Sequence, residues 1–568
     1  MNQAKKHHFD YIVVGAGAGG SVIASRLSED AGARILVLEA GPSDASVYIR
    51  MPAAQAYPLI DNRRTWRFDT GPERFLDDRT IMHLRGKMMG GSSSLNGMVY
   101  VRGNPRDYDT WAGEGLPDWS FAHCLPYFKR LESYDQGANA FRGGDGPVRI
   151  STMPAETPLF RAFLDAGQQA GQPWNDDYNG YRQEGIHRHQ ANIDHGIRAS
   201  AGRAYLRPAL KRGNVELILE AAVSRVLFND QKRAVGVEYL KHGETFRVEA
   251  EREVILCGGA YKSPHLLLLS GIGPVNQLKE HGLSMVSHVP GVGRGLQDHV
   301  CAPVAYRSSK SGVSPGVNMN LLKMGWIGAQ WLFGRSGLGA SNLWETGSFF
   351  RSHDGADYCD MQHEFVPLLG EYGQGKLVVD EGFYYSTCLM RPRSRGFVEL
   401  TSADPQAHPK IVNNYLQDEY DQRCMIAAVK FTDEIIQQPA WDSLRGAGVS
   451  PPLRTMSDAD VLAWLRKNSS TQYHPSATCR MGSDDMSVVD SHGLVHGVSG
   501  LRVADASVIP RVTSGNLQCP TLMVAEKISD HIKGRSLAPE YVDYADKPRT
   551  STNGAVREQT REACERGL

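Results

Sequence analysis

The chain has 568 residues, and its 62 Lys and Arg nearly balance its 63 Asp and Glu to give a net charge of −1 at pH 7. This length excludes a small disulfide-stapled scaffold, and the lack of a basic excess argues against a nucleic-acid-binding protein. Glycine is over-represented, with 59 residues where average usage would give roughly 40, so we expect many positions at which backbone lies close to another group.

The N-terminus leads directly into a predicted strand, without the apolar segment and cleavage site of a secretory signal. No apolar run approaches the ~18 residues that a membrane span requires, so we expect no transmembrane segment. The nine cysteines are odd in number and contain no Cys-x-x-Cys pair, which predicts reduced thiols and no metal site. We therefore expect a cytoplasmic protein, and peripheral contact with the inner membrane stays open.

The first predicted unit is a strand, a helix and a second strand. Residues 11–14 form a short β-branched run, residues 21 to about 31 form a helical stretch, and residues 35–38 form a second apolar run. A unit of this length and order is typical of the βαβ motif of a doubly wound sheet.

Glycines and one acid mark this unit as a dinucleotide site. Gly15, Gly17 and Gly20 satisfy the G-x-G-x-x-G pattern, which permits a tight turn and brings backbone close to a pyrophosphate at a helix N-terminus. Glu39 follows the second strand, where a carboxylate accepts hydrogen bonds from ribose hydroxyls. The pattern is shared by NAD and FAD sites, so these residues alone leave the cofactor open.

Two further stretches are rich in small residues. Residues 86–103 contain too much glycine and serine for a core strand, which indicates backbone lying against a flat ligand. Residues 254–256 form an apolar strand that ends at Gly258 and Gly259, and an apolar helix follows. Because α/β sheets bind ligands at the carboxyl ends of their strands, we expect a second ligand-contacting crevice here.

These two stretches resemble the signature motifs of the glucose–methanol–choline (GMC) oxidoreductase family, whose members are FAD-dependent enzymes that oxidise alcohols. The first motif departs at Met89, where the family usually has Leu, Val, Ile or Trp. The similarity runs from Tyr11 to about Ile532 and is closest to the choline dehydrogenase-like branch. It includes the fragments 102–108, 291–299 and 503–507.

The resemblance implies an α/β protein in which a Rossmann-like FAD-binding domain is interleaved with an α+β substrate domain carrying a mostly antiparallel sheet. The implied FAD-binding segments are residues 8–160, 215–305 and 470–535. The implied substrate-binding segments are residues 161–214 and 306–469, and residues 538–568 are predicted to form a polar C-terminal tail on the surface.

The resemblance also implies which residues contact FAD. These are Gly15, Gly17, Ala18, Gly20, Glu39, Ala40, Gly90, Ser94, Asn96, Gly97, Val223, Asp505, Ala506, Asn516, Pro520 and Thr521. Some members attach FAD through a histidine just before the asparagine of the first motif. Here that position is Leu95, so we expect non-covalent FAD.

The catalytic pair implied by the resemblance is His474 and Asn516. Hydride leaves a carbinol carbon readily only when its oxygen has alkoxide character, so a base must take the hydroxyl proton. A neutral histidine suits that task, and an asparagine can donate to the developing alkoxide without competing for the proton. The hydride then passes to flavin N5 and leaves an aldehyde or ketone.

The predicted substrate pocket contains Glu345, Glu364 and Tyr473. Glu345 follows Trp344, in a stretch that resembles choline dehydrogenases, and a carboxylate beside an aromatic ring can receive a cationic head group. Glu364 stands where those enzymes usually carry His, which argues against choline itself. The second acid favours an amine or polyol substrate, or else a pairing with an arginine, which we favour.

Electrons are expected to pass from a small alcohol to a quinone or another carrier. One alternative is an oxidase that uses oxygen and releases peroxide, because the fold and catalytic pair are the same. A second is a hydroxynitrile lyase, in which FAD is redox-inert. A third is a NAD-dependent dehydrogenase, which would leave the two middle motifs without a role.

Overall fold

A computed structural model describes residues 8–317, 319–373 and 376–546. Its helices are α1 (Ala18–Leu27), α2 (Val47–Arg50), α3 (Ala56–Leu59), α4 (Pro105–Gly113), α5 (Phe121–Leu131), α6 (Pro158–Gln169), α7 (Arg207–Leu210), α8 (Gly259–Leu269), α9 (Val275–Glu280), α10 (Leu321–Gly334), α11 (Glu419–Ile436), α12 (Asp458–Asn468) and α13 (Gln518–Ile532). None of the helices in the described residues has the length and hydropathy of a transmembrane span.

The strands are β1 (Phe9–Val14), β2 (Ile35–Leu38), β3 (Thr65–Asp69), β4 (Met82–Gly86), β5 (Glu132–Tyr134), β6 (Val148–Thr152), β7 (Gly185–Arg188), β8 (Gln190–Ala191), β9 (Ile193–Asp194), β10 (Ile197–Arg198), β11 (Val215–Ile218), β12 (Ala222–Phe228), β13 (Ala234–Lys241), β14 (Glu244–Leu256), β15 (Ile272–Gly273), β16 (Ser287–His288), β17 (Arg294–Leu296), β18 (Val300–Ser308), β19 (Thr346–Phe350), β20 (Met361–Val366), β21 (Leu369–Gly373), β22 (Lys376–Asp380), β23 (Gly382–Leu389), β24 (Gly396–Glu399), β25 (Lys410–Val412), β26 (Arg445–Gly448), β27 (Ser470–Thr471) and β28 (Leu501–Val503).

The first large sheet is built on parallel strands in the order β11-β2-β1-β14-β28. Ile12 in β1 pairs with Leu36 in β2 and with Val254 in β14, and all three side chains are buried. Continuous apolar strands are typical of parallel sheets because helices cover both of their faces. The amino-terminal half of β14 extends beyond this layer and pairs antiparallel with β13, which in turn pairs with β12.

The second large sheet is antiparallel, in the order β26-β18-β23-β20-β19-β7, with β27 paired to β18. One face packs against α6, α11 and α12 around a core that includes Phe365, Tyr385 and Trp441. The other face brings β20 toward the first sheet. The predicted fold class, a Rossmann-like layer combined with a mostly antiparallel sheet, is therefore confirmed.

The first βαβ unit differs from the sequence prediction mainly in its helix. α1 begins at Ala18 and ends at Leu27, so it begins and ends earlier than the predicted span of 21 to about 31. Gly17 is its N-cap residue, so the helix N-terminus lies at the glycine loop itself. After Leu27 the chain turns, because the Asp30 carboxylate accepts from the Gly32 amide over 2.9 Å.

The predicted C-terminal tail is packed on the protein over its described part. The Glu540 amide donates to the Ala122 carbonyl of α5 over 2.9 Å. The Tyr544 ring is buried, and its hydroxyl donates to Asp109 of α4. Residues 547–568 of the predicted tail lie outside the described residues.

Candidate active site

The dinucleotide-type motifs meet at one edge of the parallel sheet. Gly15 follows β1, Glu39 follows β2, Gly258 follows β14 and Asp505 follows β28. Because these strands are parallel, their carboxyl ends share an edge, which is where doubly wound sheets bind ligands. The Asp505 carboxylate accepts from the Gly259 amide over 2.8 Å and fastens the loop after β14 to the loop after β28.

A cavity of about 1810 Å³ opens from this edge toward β20 of the second sheet. It is lined by most of the predicted site residues, namely Gly15, Gly17, Ala18, Glu39, Ala40, Asn96, Gly97, Val223, Glu364, Tyr473, His474, Asp505, Ala506, Asn516 and Thr521. Residues from the N-terminal, middle and C-terminal parts of the chain therefore share a single cavity.

Four predicted cofactor residues lie behind this lining. A Cβ on Gly20 would come 1.9 Å from the Gly15 carbonyl oxygen, so Gly20 serves close packing of α1 against the glycine loop that follows β1. Gly90 has a φ of +86° and its amide donates to the Ala16 carbonyl over 2.8 Å, which ties two loops together. The Ser94 hydroxyl donates to the Met89 carbonyl, and Pro520 is buried inside α13.

The sheet-edge end of the cavity fits an elongated dinucleotide. The first amides of α1 have no intrahelical acceptor and present the positive end of the helix dipole. A Cβ on Gly91 would lie 2.7 Å from the Gly17 Cα, so the two glycine loops leave no room for side chains between them. Burial raises the pKa of Glu39 to about 7, and its carboxylate accepts from the Ala16 and Gly41 amides over 2.8 and 2.9 Å.

The middle part of the cavity also presents an unused donor. Gln518 accepts a hydrogen bond from Asn96 through Oε1, whereas its buried Nε2 has no partner among the described residues. A buried amide nitrogen without a partner is costly unless a ligand supplies an acceptor. The cavity therefore has the glycine cradle, helix N-terminus and unsatisfied donor that a bound FAD would use.

His474 is held by contacts on both ring nitrogens. Its Nδ1 lies 3.0 Å from Nδ1 of His299, and its Nε2 lies 3.4 Å from Nδ2 of Asn516. The His474 amide donates to the Asp298 carboxylate over 2.7 Å, which fixes the backbone. Burial lowers the pKa of His474 well below its usual value, and the neighbouring His299 and Arg85 lower it further. The ring is therefore neutral near pH 7.

Asn516 connects this histidine to a buried acid. Its Nδ2 donates to Oε1 of Glu364 over 2.9 Å, and its Oδ1 accepts from Gln362 over 3.3 Å. The side-chain amide of Gln472 donates through Nε2 to Oε2 of Glu364. Burial raises the pKa of Glu364 to about 7, although the bond from Asn516 opposes this shift.

Successive side chains of β20 point to opposite faces of the sheet, so Glu364 faces the cavity and His363 does not. His363 points to the opposite face, where it bonds Ser348 and Thr432 over 3.0 and 2.8 Å. Glu364 makes no arginine contact among the described residues, so the favoured pairing with an arginine is wrong. Trp344 and Tyr384 line the same cavity, with ring centres 6.4 Å apart.

Glu345 is not brought to this group. The residue is buried, and its carboxylate accepts from the Ala155 amide over 2.8 Å and from the Ser341 hydroxyl. It therefore organises the loop before β19 and does not line the cavity, whereas its neighbour Trp344 does. Of the two predicted acids, Glu364 and not Glu345 therefore shares the cavity with Trp344.

Comparison of the sequence with protein-family models identifies the family of the chain. The model of the N-terminal part of GMC oxidoreductases matches residues 9–301, and that of the C-terminal part matches residues 392–525. The chain belongs to the GMC oxidoreductase family. It is therefore an FAD-dependent oxidoreductase acting on CH–OH donors, and the predicted family and enzyme class are confirmed.

Several GMC relatives align over nearly the full length. A protein of Paraburkholderia xenovorans named oxygen-dependent choline dehydrogenase is 44% identical over 555 residues, covering 97% of this chain and 98% of the relative. A protein of the same name from Staphylococcus saprophyticus is 44% identical over 548 residues, covering 95% and 97%.

Solved structures agree with the fold. Pyridoxine 4-oxidase from Mesorbium loti superposes with a TM-score of 0.83 at 26% identity, covering 93% of this chain and 100% of that structure. A variant of the Aspergillus oryzae formate oxidase superposes with a TM-score of 0.86 at 27% identity, covering 94% and 99%. The GMC fold extends over both sheets.

Two functional neighbours in this GMC site were not assigned a role from the sequence. His299 lay in a fragment that carries the family resemblance, but nothing in its spacing predicted contact with His474. Gln472 precedes the catalytic loop, and only the pairing of β27 with β18 brings it to Glu364. Both contacts are made between distant segments, so periodicity along the chain gives no signal for them.

Proposed function

We propose that this enzyme oxidises a small alcohol with His474 as the base that takes the hydroxyl proton. When bound, FAD supplies the hydride acceptor at N5 of its ring. The observation that carries the proposal is the placement of a neutral imidazole and an amide donor, 3.4 Å apart, in the cavity that begins at the Gly15 loop.

His474 can act as a base only in one tautomer. Nε2 must be free to accept the substrate proton, so Nδ1 must carry hydrogen and donate to Nδ1 of His299. His299 then carries its own hydrogen on Nε2. Burial lowers the pKa of His299 to about 3, although the carbonyls of Met390 and Thr513 oppose this shift, so the ring is neutral and its Nδ1 can accept. Its Nε2 has no hydrogen-bond partner of strict geometry among the described residues.

Asn516 stabilises the oxygen from which His474 removes the proton. One N–H of its amide is held by Glu364, and the other faces Nε2 of His474. A substrate hydroxyl between the two groups gives its proton to the imidazole while its oxygen accepts from the amide. A preorganised donor of this kind acts most strongly where negative charge develops.

The substrate is an alcohol that carries a positively charged group. Glu364 is the acid beside the catalytic pair, and Trp344, Tyr384 and Tyr473 line the same cavity. An ionised carboxylate and aromatic faces both attract a cation. The relatives are named for choline, whereas Glu364 replaces the His usual in choline dehydrogenases, so protonated amino alcohols are the first candidates and choline the comparison.

FAD is held without a covalent bond. Leu95 occupies the position at which some family members carry the attaching histidine, and its side chain lines the cavity. Acid precipitation of the purified enzyme is expected to release all flavin into the supernatant. Flavin that remains with the pellet would contradict this proposal.

The electrons pass on to a quinone or another carrier. The test is an anaerobic panel of alcohols, in which bleaching of the flavin absorbance identifies the substrate, followed by turnover with a dye acceptor and with oxygen. We expect bleaching by an amino alcohol and faster dye reduction than peroxide release. Stoichiometric peroxide would instead identify an oxidase, and a flavin that no alcohol bleaches would favour the lyase.

A further inference from the structure

Helix α10 exposes a large apolar surface. Of its fourteen described residues, Trp331 alone is buried, and its Nε1 donates to the Gly196 carbonyl over 2.7 Å. Six of its large apolar side chains are exposed, and the four most exposed are Leu321 at 82%, Leu322 at 84%, Trp326 at 69% and Phe333 at 86%. A contiguous apolar surface of this kind marks an interaction site on a water-soluble chain.

The segment that contains α2 and α3 extends this surface. The exposed rings of Tyr48 and Tyr57 stack with centres 4.8 Å apart. Gly339 joins the two regions, because a Cβ there would lie 2.7 Å from Trp331 and 2.8 Å from Met51. We call this surface the α10 patch, formed by Tyr48, Tyr57, Leu321, Leu322, Trp326 and Phe333.

The α10 patch borders the opening of the active-site cavity. Tyr48, Tyr57 and Leu321 line that cavity although all three are exposed. A side chain that lines a cavity and also contacts bulk solvent lies where the cavity opens. Whatever covers the α10 patch therefore faces the entrance to the catalytic site.

The two segments that form the patch contain basic residues and no acids. Residues 311–344 contain Lys323 and Arg335 but no Asp or Glu, and residues 45–60 contain Arg50 and no acid. The chain as a whole is nearly neutral, so this local excess is not a consequence of overall composition. Lys323 lies within α10 and is exposed.

These observations favour a lipid surface as the occupant. α10 combines tryptophans with one lysine, is followed by Arg335 and contains no acid. Apolar helices with tryptophan and positive charge are typical of segments that lie in the interface of an anionic membrane. With 14 residues and a rise of about 1.5 Å per residue, α10 is roughly 21 Å long, which is shorter than the ~30 Å hydrocarbon layer. It can therefore lie on a bilayer but cannot cross one.

We propose that the α10 patch docks on an anionic bilayer and that a membrane-dissolved quinone reaches the cavity through this opening. The inference rests on the proposed function for its acceptor. Oxidation of an alcohol to an aldehyde releases two electrons and two protons, and a quinone takes up both to become the quinol. Docking would place the cavity entrance against the phase in which such an acceptor dissolves.

The first test measures binding and needs no turnover. The purified holoenzyme is floated with vesicles of phosphatidylcholine, with and without phosphatidylglycerol. We expect binding to the anionic vesicles, and at least tenfold weaker binding for the double variant Leu322→Glu/Phe333→Glu, because two large apolar side chains are removed from the interface. The matched control, Met285→Glu/Val449→Glu, changes exposed apolar residues outside the patch and is expected to bind as the parent does.

A charge variant separates the electrostatic contribution to vesicle binding from the apolar contribution. Lys323→Glu keeps the apolar side chains of the patch but reverses one charge. It is expected to weaken binding to anionic vesicles roughly fivefold or more and to leave binding to neutral vesicles unchanged. Equal binding of all variants, or no binding by the parent protein, would overturn docking.

The second test measures turnover in both phases. With a water-soluble dye, the Leu322→Glu/Phe333→Glu variant is expected to match the parent, since neither side chain lines the cavity. With a long-chain quinone in anionic vesicles, the same variant is expected to lose at least tenfold in rate. Loss with both acceptors would contradict the route, and failure of every alcohol with the dye would instead contradict the proposed function.

A measurement of the oligomeric state distinguishes a lipid surface from a second copy of this chain as the occupant of the α10 patch. If the double variant converts a dimer to a monomer in sedimentation velocity while vesicle binding is absent, the α10 patch is an interface between copies of this chain and the lipid proposal is wrong. A parent and a variant of equal oligomeric state, with vesicle binding lost only in the variant, support it.

Discussion

Nδ2 of Asn516 donates to Oε1 of Glu364 over 2.9 Å and, 3.4 Å away on its other side, faces Nε2 of His474. The amide therefore connects the buried acid to the imidazole. Its orientation depends on the carboxylate, because a protonated Glu364 accepts less strongly and can itself donate. The charge of Glu364 and the geometry of the catalytic pair are coupled through this one side chain.

The first prediction concerns the pH dependence of turnover. Burial raises the pKa of Glu364 to about 7, so the carboxylate is mostly protonated below pH 7 and ionised above it. For a cationic alcohol, kcat/KM is expected to rise as pH increases through about 7, because kcat/KM reports the free enzyme. The pKa of His474 lies well below its usual value, so its own ionisation contributes only at lower pH.

Glu364→Gln tests that assignment. The variant should lose the rise near pH 7 and raise KM for the cationic alcohol at least tenfold, while a neutral alcohol of similar size shows little change. The measurement is kcat/KM against pH for both alcohols. A rise that survives unchanged in the variant would assign it to another group.

The second prediction concerns the base itself. His474→Ala removes the proton acceptor, and general-base catalysis is worth roughly 10²- to 10⁴-fold. Anaerobic flavin reduction by the alcohol is therefore expected to slow by that factor. The flavin content should stay at the parent level, since the glycine loop and Glu39 are untouched. Reduction at the parent rate would rule out His474 as the base.

The third prediction concerns His299 as a positioning residue. His299→Leu removes the acceptor for Nδ1 of His474, so the base-competent tautomer is no longer favoured. We expect flavin reduction to slow about ten- to a hundredfold with KM nearly unchanged. His299→Asn restores a carbonyl acceptor and should recover part of the rate. Equal rates for the two variants would indicate that His299 only fills space.

The sequence predicted those parts of the site that follow from local pattern. A strand, a glycine loop, a second strand and an acid follow one another between Tyr11 and Glu39. Residues that follow parallel strands lie at the same edge of the sheet, so their proximity could be predicted. The family resemblance added His474 and Asn516, which share the cavity as expected. Glu364 was predicted to lie in the pocket, but its bonds to Gln472 and Asn516 were not.

Contacts between distant segments account for what was missed. The buried position of Glu345 depends on the Ala155 amide, which no local pattern encodes. The apolar surface of α10 was also missed, because an apolar helix is normally read as core and only the packing of its neighbours shows that it is exposed. Exposure is a property of the assembled fold, so the sequence pattern alone cannot supply it.

The last prediction tests close packing behind the FAD loop. A Cβ on Gly20 would come 1.9 Å from the Gly15 carbonyl oxygen, so Gly20→Ala forces α1 and the Gly15 loop apart and displaces the loop that would cradle the pyrophosphate. We expect the variant to lose most of its flavin on gel filtration and to be destabilised by roughly 1–3 kcal/mol or more, as overpacked cores are.

Gly113→Ala is the matched control for this substitution. Gly113 is also helical, at the end of α4, and a Cβ there meets nothing within 4 Å. It should retain flavin and thermal stability, because alanine is the better helix former. If Gly20→Ala bound flavin as tightly as Gly113→Ala does, the close approach of α1 to the Gly15 carbonyl would not control the cofactor loop. A selective loss in Gly20→Ala would instead attribute FAD retention to the 1.9 Å approach, since the two variants add the same methyl group.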